Sequence, residues 1–559
     1  MKTKHPIHPI SLMIILMLLC TLVVQAQQDQ LPLREQHKEV PDDAYVPVSR
    51  ASMQRSPAYS FRSAMVFTNQ VNIDENGDNI VGDAANEPSI AVDPTNPDRI
   101  VIGWRQFDTV TNNFRQAGYG YSLDGGLTWT FPGVLDPGNF RSDPVLDFDS
   151  DGNFYYNSLQ SNFSCDVFAI RDGGVVWEAP VPAGGGDKQW MRVDRTSGTG
   201  ASNIYAHWNE SFTTCDGAFI RTTDNSLSYE DCSDVPEDPF WGTLAVNADG
   251  VLYLTGTNGA NFVVYRSLNA QNPSETIVWE NGTNVNLDGQ LDAFVPVNPA
   301  GLLGQTWIDV DVSNGSGAGN VYLAASVNRN SNNDPGDLMF ARSTDGGLTF
   351  EDPIRINTDT GTSAFQWLGT MAVAPNGRID MVWLDTRDAP AGTLDSVLYY
   401  SFSDDQGTTW SENTPLSIPF NPNIGYPQQD KIGEYFDMVS DDEGAHLAWA
   451  NTINGEQDVY YSRITPDTVL STPTITLDNI GSFPNPFQDK LTVSFNMDRE
   501  AQLRVDILDS TGRRIKTLFD GRTAGRQQLE WNGQGVANGL YFVRIQTGNQ
   551  NEVIKVLKQ

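Results

Sequence analysis

Histidine and cysteine are scarce in this chain, five and four among 559 residues. No Cys/His spacing suited to zinc occurs, and five scattered histidines make no metal centre. Cys20 falls in the N-terminal apolar run, which leaves Cys165, Cys215 and Cys232 beyond it. Cys215 and Cys232 flank a strand–turn–strand stretch and could bridge a hairpin. Cys165 and Cys215 hold equivalent repeat positions and could pair instead; either way one thiol is left over. Positive charge is also scarce, with 35 Lys and Arg against 70 Asp and Glu, a net charge of -35. Such a surface repels phosphate backbones, which argues against nucleic acid as a partner. The acidity belongs to the body of the chain, because from Leu477 onward 11 basic residues face 9 acidic ones.

There is one long apolar run and no second. Lys2 and Lys4 precede it, residues 10–24 form it, and small residues at Val24 and Ala26 supply a cleavage site after Ala26. This pattern is that of a secretory signal peptide over 1–26, too short and too close to the start for a permanent transmembrane segment. The bulky residues Met17, Leu18 and Leu19 ahead of Cys20 exclude a lipobox. Export in turn permits a disulfide.

What the chain has in abundance is a repeat. A strand, a tight Asp/Asn/Gly turn and a second strand rich in Tyr and Trp recur seven times, starting near Pro88, Asp143, Gln189, Trp241, Thr306, Trp367 and Glu434. The spacing, roughly 45 to 65 residues, is that of propeller blades. A second hairpin follows most copies, with the turn S-x-D-x-G-x-T-W at 122–129 and 403–410 and Phe350 in place of tryptophan at 343–350. Asp172, Gly174 and Trp177, then Asp224, Ser228 and Tyr229, are degenerate versions in the same register. In such a turn the Asp accepts backbone N–H bonds, Gly adopts what other residues resist, and the aromatic packs between sheets. Two hairpins per copy make a four-stranded sheet, so the expected fold is all-β: a seven-bladed propeller over 61–464, with a six-bladed ring as the rival. The seventh copy has three strands of its own, and residues 64–73 are expected to complete it. Residues 27–60 read as a linker, as does the Pro/Thr-rich stretch 465–476.

These turns are Asp boxes, and the body resembles the sialidase-like superfamily of BNR repeats. By that resemblance Asp124, Asp345 and Asp405 are structural and lie away from the active face. Ligands of a propeller bind where the inner strands open on the central channel. The starts of the first strands carry Glu87, Asp143, Lys188, Trp241, Trp307, Trp367 and Glu434 with Tyr435, and second-strand ends add Arg105, His207 and Arg387. Glu434, Asp143, Glu87, Arg105, Arg387 and Tyr435 are the catalytic candidates; Trp241, Trp307, Trp367 and Lys188 are the substrate-binding ones. Carboxylates and arginines suit sugar hydroxyls and acid/base work, and aromatics suit the apolar ring face. The sialidase R-I-P motif is absent ahead of the first Asp box. Glu434 and Tyr435 are adjacent on a strand and point to opposite faces. Strict sialidase activity is therefore not expected. The stretch 147–153 imitates an EF-hand opening but has Ser158 at the twelfth place, so it reads as a hairpin turn. No cofactor is expected, and an irregular structural calcium near Asp74 to Asp78 is the one metal option left open.

After 476 the pattern changes to a small antiparallel sandwich over 477–559. The PNPF run at 484–487, the TGR turn at 511–513, the NGLYFVRI strand and the basic end resemble, in that order, the type A C-terminal sorting domain of the type IX secretion system. That resemblance implies the type IX machinery as a partner and a final place in the medium or on the outer surface. Three functions then compete: a glycan-active exo-hydrolase or lyase, a non-catalytic propeller binding a glycan or surface protein, and a structural scaffold.

Overall fold

The computed structural model describes residues 32–36, 41–426, 428–466, 477–547 and 550–559. The expected signal peptide and residues 467–476 of the expected linker lie outside them. The described residues contain no α-helix, only 3-10 turns at Leu33–Glu35 and Arg50–Ser52, and no helix long and apolar enough to cross a membrane. The chain divides into two compact units, one ending at Pro466 and one beginning at Asp467.

The first unit is built from seven antiparallel sheets, here blades I to VII. Their first strands are Ala84–Val92, Ser142–Phe148, Trp190–Val193, Leu244–Val246, Trp307–Val310, Gln366–Val373 and Asp437–Ser440. Each first strand lies against that of the next blade, and that of blade VII lies against that of blade I. The sheets therefore form a closed ring, a β-propeller. Strands of blades I and II are buried on both faces, and with them polar residues such as Asn86, Ser89, Asp147 and Asn157. Gly103 shows how tight the blade contact is: a Cβ there would sit 2.4 Å from the Tyr156 ring of blade II.

Blade VII is completed from the other end of the chain, as expected. Val66–Gln70 pairs antiparallel with Asp458–Ile464, from Val66 opposite Ile464 to Gln70 opposite Tyr460. Thr68 and Ser462 share a 2.8 Å hydroxyl bond across the pair, and Asn72 donates to Asp458 at 2.8 Å. Within the stretch 27–60 expected as a linker, residues 50–60 are held by strand pairs and a ring contact. Gln54–Pro57 pairs with Asp78–Val81, Ser60–Arg62 extends blade VII, and Arg50 lies over the Phe131 ring at 4.3 Å.

Side chains on the inner strands tie neighbouring blades together. The Asp437 carboxylate accepts the Ser89 hydroxyl at 2.6 Å and the Ile90 N–H at 3.0 Å. Ser89 in turn accepts the Leu146 N–H at 2.8 Å. Asp147 accepts from Val193 at 2.7 Å, Thr243 from Ile308 at 3.0 Å, and Asp309 from Val373 at 2.8 Å. These acceptors satisfy N–H groups that the ring would otherwise bury unpaired.

The Asp boxes close the outer hairpins. In each of the three, Asp124, Asp345 and Asp405, one carboxylate accepts a Ser hydroxyl and a Thr N–H and hydroxyl, at 2.6 to 2.9 Å. Burial slightly opposes the charge of Asp345, but these bonds hold its carboxyl down to about 2. The box aromatic then packs on the preceding blade: Trp129 on Tyr461 at 5.3 Å, Trp410 on Phe340 at 5.2 Å. The EF-hand look-alike is a turn, in which Asp149 accepts the N–H groups of Asp151 and Asn153 and the Tyr155 hydroxyl. Asp74 caps its own loop in the same way and pairs with Arg55 at 2.7 Å. Cys215 is bonded to Cys232, and Cys165 is a buried thiol.

The second unit is a five-stranded antiparallel sheet. Its long strand Lys490–Asp509 pairs with Leu477–Phe483 and Arg514–Asn532 in its first half, and with Arg514–Asn532 and Gly539–Thr547 in its second. The sheet encloses its own core around Leu491, Val505, Ile507, Val543 and Trp531, the last set between Phe487 and Tyr541.

Replacing Asp437 by Ala should strand the Ile90 N–H and Ser89 hydroxyl in the core, at a cost of about 1–3 kcal/mol. Urea unfolding of the variant should show a lower midpoint with an unchanged slope; an unchanged midpoint would mean that the inter-blade bonds carry no weight.

Candidate functional site

The first strands start at one end of the ring, most of them at or shortly after a residue of left-handed backbone, which in blades I, II and VI is accompanied by a bulge. Glu87, Asp143, Lys188, Trp241 and Leu368 have φ between 46° and 56°, and Gly433 has φ 116°. Left-handed backbone is uncommon outside glycine, and such strain persists only where the surroundings enforce it. Four of these residues are sequence candidates, and this backbone is what separates their side chains from the regular alternation of the strand.

Three of these left-handed residues, Glu87, Asp143 and Lys188, converge with Glu434, although they come from blades I, II, III and VII. Glu87 is fully buried, with Arg105 Nε at 3.0 Å and Lys431 Nζ at 3.6 Å. Lys431 also reaches Glu434 at 3.4 Å, and Lys188 Nζ lies 2.7 Å from the other Glu434 oxygen. Lys188 touches Asp187 at 3.2 Å, and its backbone N–H bonds Asp143 at 3.2 Å. Ser142 donates to Asp143 at 2.6 Å. Burial pushes the Glu87 carboxyl up to about 7 despite Arg105 and Lys431, with Asp143 and Glu434 adding to the rise. Burial opposes the charge of Lys188, yet Asp187, Glu434 and Asp143 hold its amine well above the usual range.

Aromatic rings fill the channel next to this cluster. Trp190 meets Trp307 at 5.0 Å and Tyr435 at 5.4 Å, both edge to face. The Tyr435 hydroxyl donates to the Pro144 carbonyl at 2.8 Å, and burial raises its pKa far above the ordinary value. Tyr435 is thus buried among the channel rings, and Trp307, 4% exposed, packs with them. The other two expected sugar platforms are also core. Trp241 packs on Phe240 at 5.1 Å, and Trp367 is fully buried with its indole N–H on Ser396. Arg387 stands outside the cluster, paired with Asp385 at 2.6 Å and lying over Tyr399. His207 sets its two ring nitrogens against the Ala218 and Pro239 carbonyls, one of which accepts the N–H of the neutral ring, and burial lowers its pKa to about 4.

Two elements missed in the sequence cover part of the mouth. The hairpin Ala293–Val295 with Asn298–Leu302 sends Asn298 to the Gly433 carbonyl and the Ile432 N–H. The loop at 425–433 brings Lys431 and Gln429 to the cluster, with Gln429 accepting from Arg105 at 3.3 Å. A Cβ on Gly433 would stand 2.7 Å from the Glu87 side chain, so this loop seals Glu87. The signal for both was the long interval between repeat copies on either side of them. What stays open is a cavity of about 240 Å³ beside Asp143 and Asp187, walled by Arg115, Ser142, Gln160, Phe140 and Phe163.

Residues 482–559 match the family model of the secretion system C-terminal sorting domain. The second unit is therefore a sorting domain, and the chain is exported to the cell surface or beyond. No curated protein matches the chain. Similar solved structures include a protein of unknown function from Dyadobacter fermentans, at 13% identity and TM-score 0.41, covering 72% of this chain and 98% of that one. A Trypanosoma rangeli sialidase in complex with the inhibitor DANA gives 11% identity and TM-score 0.35, over 90% of this chain and 88% of its own. The Aleuria aurantia lectin in complex with Fucalpha1-6GlcNAc gives 9% and 0.31, over 67% and 91%. Likenesses this distant assign no residue a role.

Folding lifts Glu87 from an ordinary value of 4.5 to about 7. The folded protein therefore keeps a proton that the unfolded chain releases. The stability this confers is complete below about pH 4.5 and is lost as the pH rises through about 7. Thermal midpoints of the wild type and Glu87→Gln, taken from pH 4.5 to 8, should differ in slope, the wild type losing more stability with rising pH. Parallel curves would contradict the assignment.

Proposed function

We propose that the exported propeller binds an extracellular glycan in the open cavity beside Asp143. The observation that carries this reading is the chemistry of the cavity wall. Asp143, Asp187, Ser142 and Gln160 offer hydrogen-bonding groups for hydroxyls, while Phe140 and Phe163 offer apolar faces, the pairing that carbohydrate recognition uses. Binding is favoured over turnover because Glu87 faces Arg105 and Lys431, and Glu434 faces Lys188 and Lys431, rather than the open cavity. The sorting domain supports a place where such glycans are met.

Hydrolysis is the second reading, and Glu87 supports it, since a carboxyl with a pKa near 7 can act as a general acid. Glu87 is sealed from solvent, so that chemistry requires the loop at 425–433 to open.

A panel of immobilised glycans, probed with the wild type and with Phe163→Ala and Gln160→Ala, tests the proposal. Retention on at least one glycan is expected, with each variant weakened about tenfold, or roughly 1.4 kcal/mol, at an unchanged thermal midpoint. No retention anywhere, or equal retention by both variants, would sink it. Release of free sugar by the wild type, abolished in Glu87→Gln, would favour the second reading.

A further inference from the structure

The wall of the open cavity is not made by the blades alone. Pro41 and Asp42, which precede the first blade, complete it. Asp42 places a carboxylate oxygen 2.7 Å from Arg115 Nη2. Arg115 is itself only 5% exposed, with its guanidinium over the Phe140 ring at 5.1 Å and within 3.4 Å of Ser142 Oγ. A nearly buried cation facing a cavity is a built site for an anionic group, because its charge needs a partner that water cannot supply there.

The neighbouring residues are held in the same manner. Asp43 donates its N–H to the Asn113 side chain at 2.5 Å and accepts the Asn113 N–H at 3.0 Å. Asn113 also donates to the Pro41 carbonyl at 2.9 Å, and Asn112 to the Ala44 carbonyl at 3.1 Å. Tyr45 rests on Phe114 with ring centroids 5.2 Å apart. Residues 41–47 are nevertheless exposed and outside any strand. This is how an extended peptide is bound by a receptor, through main-chain bonds for affinity and side-chain pockets for specificity. Here the peptide belongs to the same chain.

We propose that Arg115, Asn112, Asn113 and Phe114 form a docking groove for an extended acidic peptide, which residues 41–45 fill in cis. The Asp42 carboxylate occupies the Arg115 position beside Asp143 and Asp187. The N-terminal segment thereby acts as a built-in competitor for whatever enters the cavity, at the effective concentration that tethering confers. The groove stands independently of the glycan reading; the competition rests on it.

The test uses the mature full chain carrying Asp42→Asn and Asp43→Asn, and a fluorescein-labelled peptide PDDAYVP of the wild-type sequence. Anisotropy should show saturable binding to this variant, weakened at least about tenfold when Arg115→Ala is added and when the peptide carries Asn at both aspartates. The wild-type chain, its groove filled, should bind the peptide at least about tenfold more weakly than the variant. A second variant lacking residues 27–48, all of which precede the first strand, should bind like the double substitution. Equal binding by wild type and variants, or none by either variant, would overturn the groove. If the peptide binds but fails to displace a retained glycan, the competition and the placement of the glycan in this cavity fall, and the groove stands.

Discussion

The structure depends on one constraint: a ring of sheets has to be closed, and here the chain closes it with a strand from its far end. Val66–Gln70 supplies the fourth strand of blade VII, so the last sheet forms only when residues almost 400 apart in sequence have met. Everything at the mouth inherits its position from that closure. Glu87 and Arg105 of blade I can meet Lys431 and Glu434 only because blade VII lies directly against blade I. The polar ladder on the inner strands, Asp437 to Ser89 to Leu146, runs through the same seam. Long-range closure carries a large entropic cost in loop ordering, and the hydroxyl and carboxylate bonds across the seam, with the packing of Trp129 on Tyr461, are what offset it.

The site shows how a fold can concentrate charge without solvating it. Four side chains from four blades reach one end of the channel, three of them on residues of left-handed backbone and Glu434 directly after the left-handed Gly433. Aromatic rings from blades III, V and VII shut the channel beside them. The hairpin at 293–302 and the loop at 425–433 cover the blade VII side. The charges must therefore pair with one another, and burial raises Glu87. The unsealed side, near Arg115, Asp143 and Asp187, is where recognition is left to occur.

Much of the fold was legible in the sequence for a physical reason: a repeat states the same local solution several times. The Asp-box turns, the seven strand pairs and the missing strand at 64–73 all follow from hairpin chemistry and counting. The site was legible in part. Glu87, Asp143, Lys188 and Glu434 were found because they sit at equivalent repeat positions. The tryptophans misled, because Trp241, Trp307 and Trp367 occupy similar positions but turn into the core, and whether an aromatic faces solvent depends on what covers it. Lys431 and Asp187 lie in the connections between repeats, and Arg115 opens the third strand of blade I, positions that the repeat does not mark. Segment 27–60 was read as a linker for the same reason, since the strands and side chains that hold its residues 41–60 belong to no repeat copy or are scattered along the sequence.

Amide hydrogen exchange of residues 66–70 against 458–464 measures the central claim most directly. If the N-terminal strand closes the ring, both strands should exchange slowly and together, opening only with the propeller as a whole. Fast exchange at 66–70 beside a protected 458–464 would show an open blade VII, and with it a mouth not held in the arrangement described.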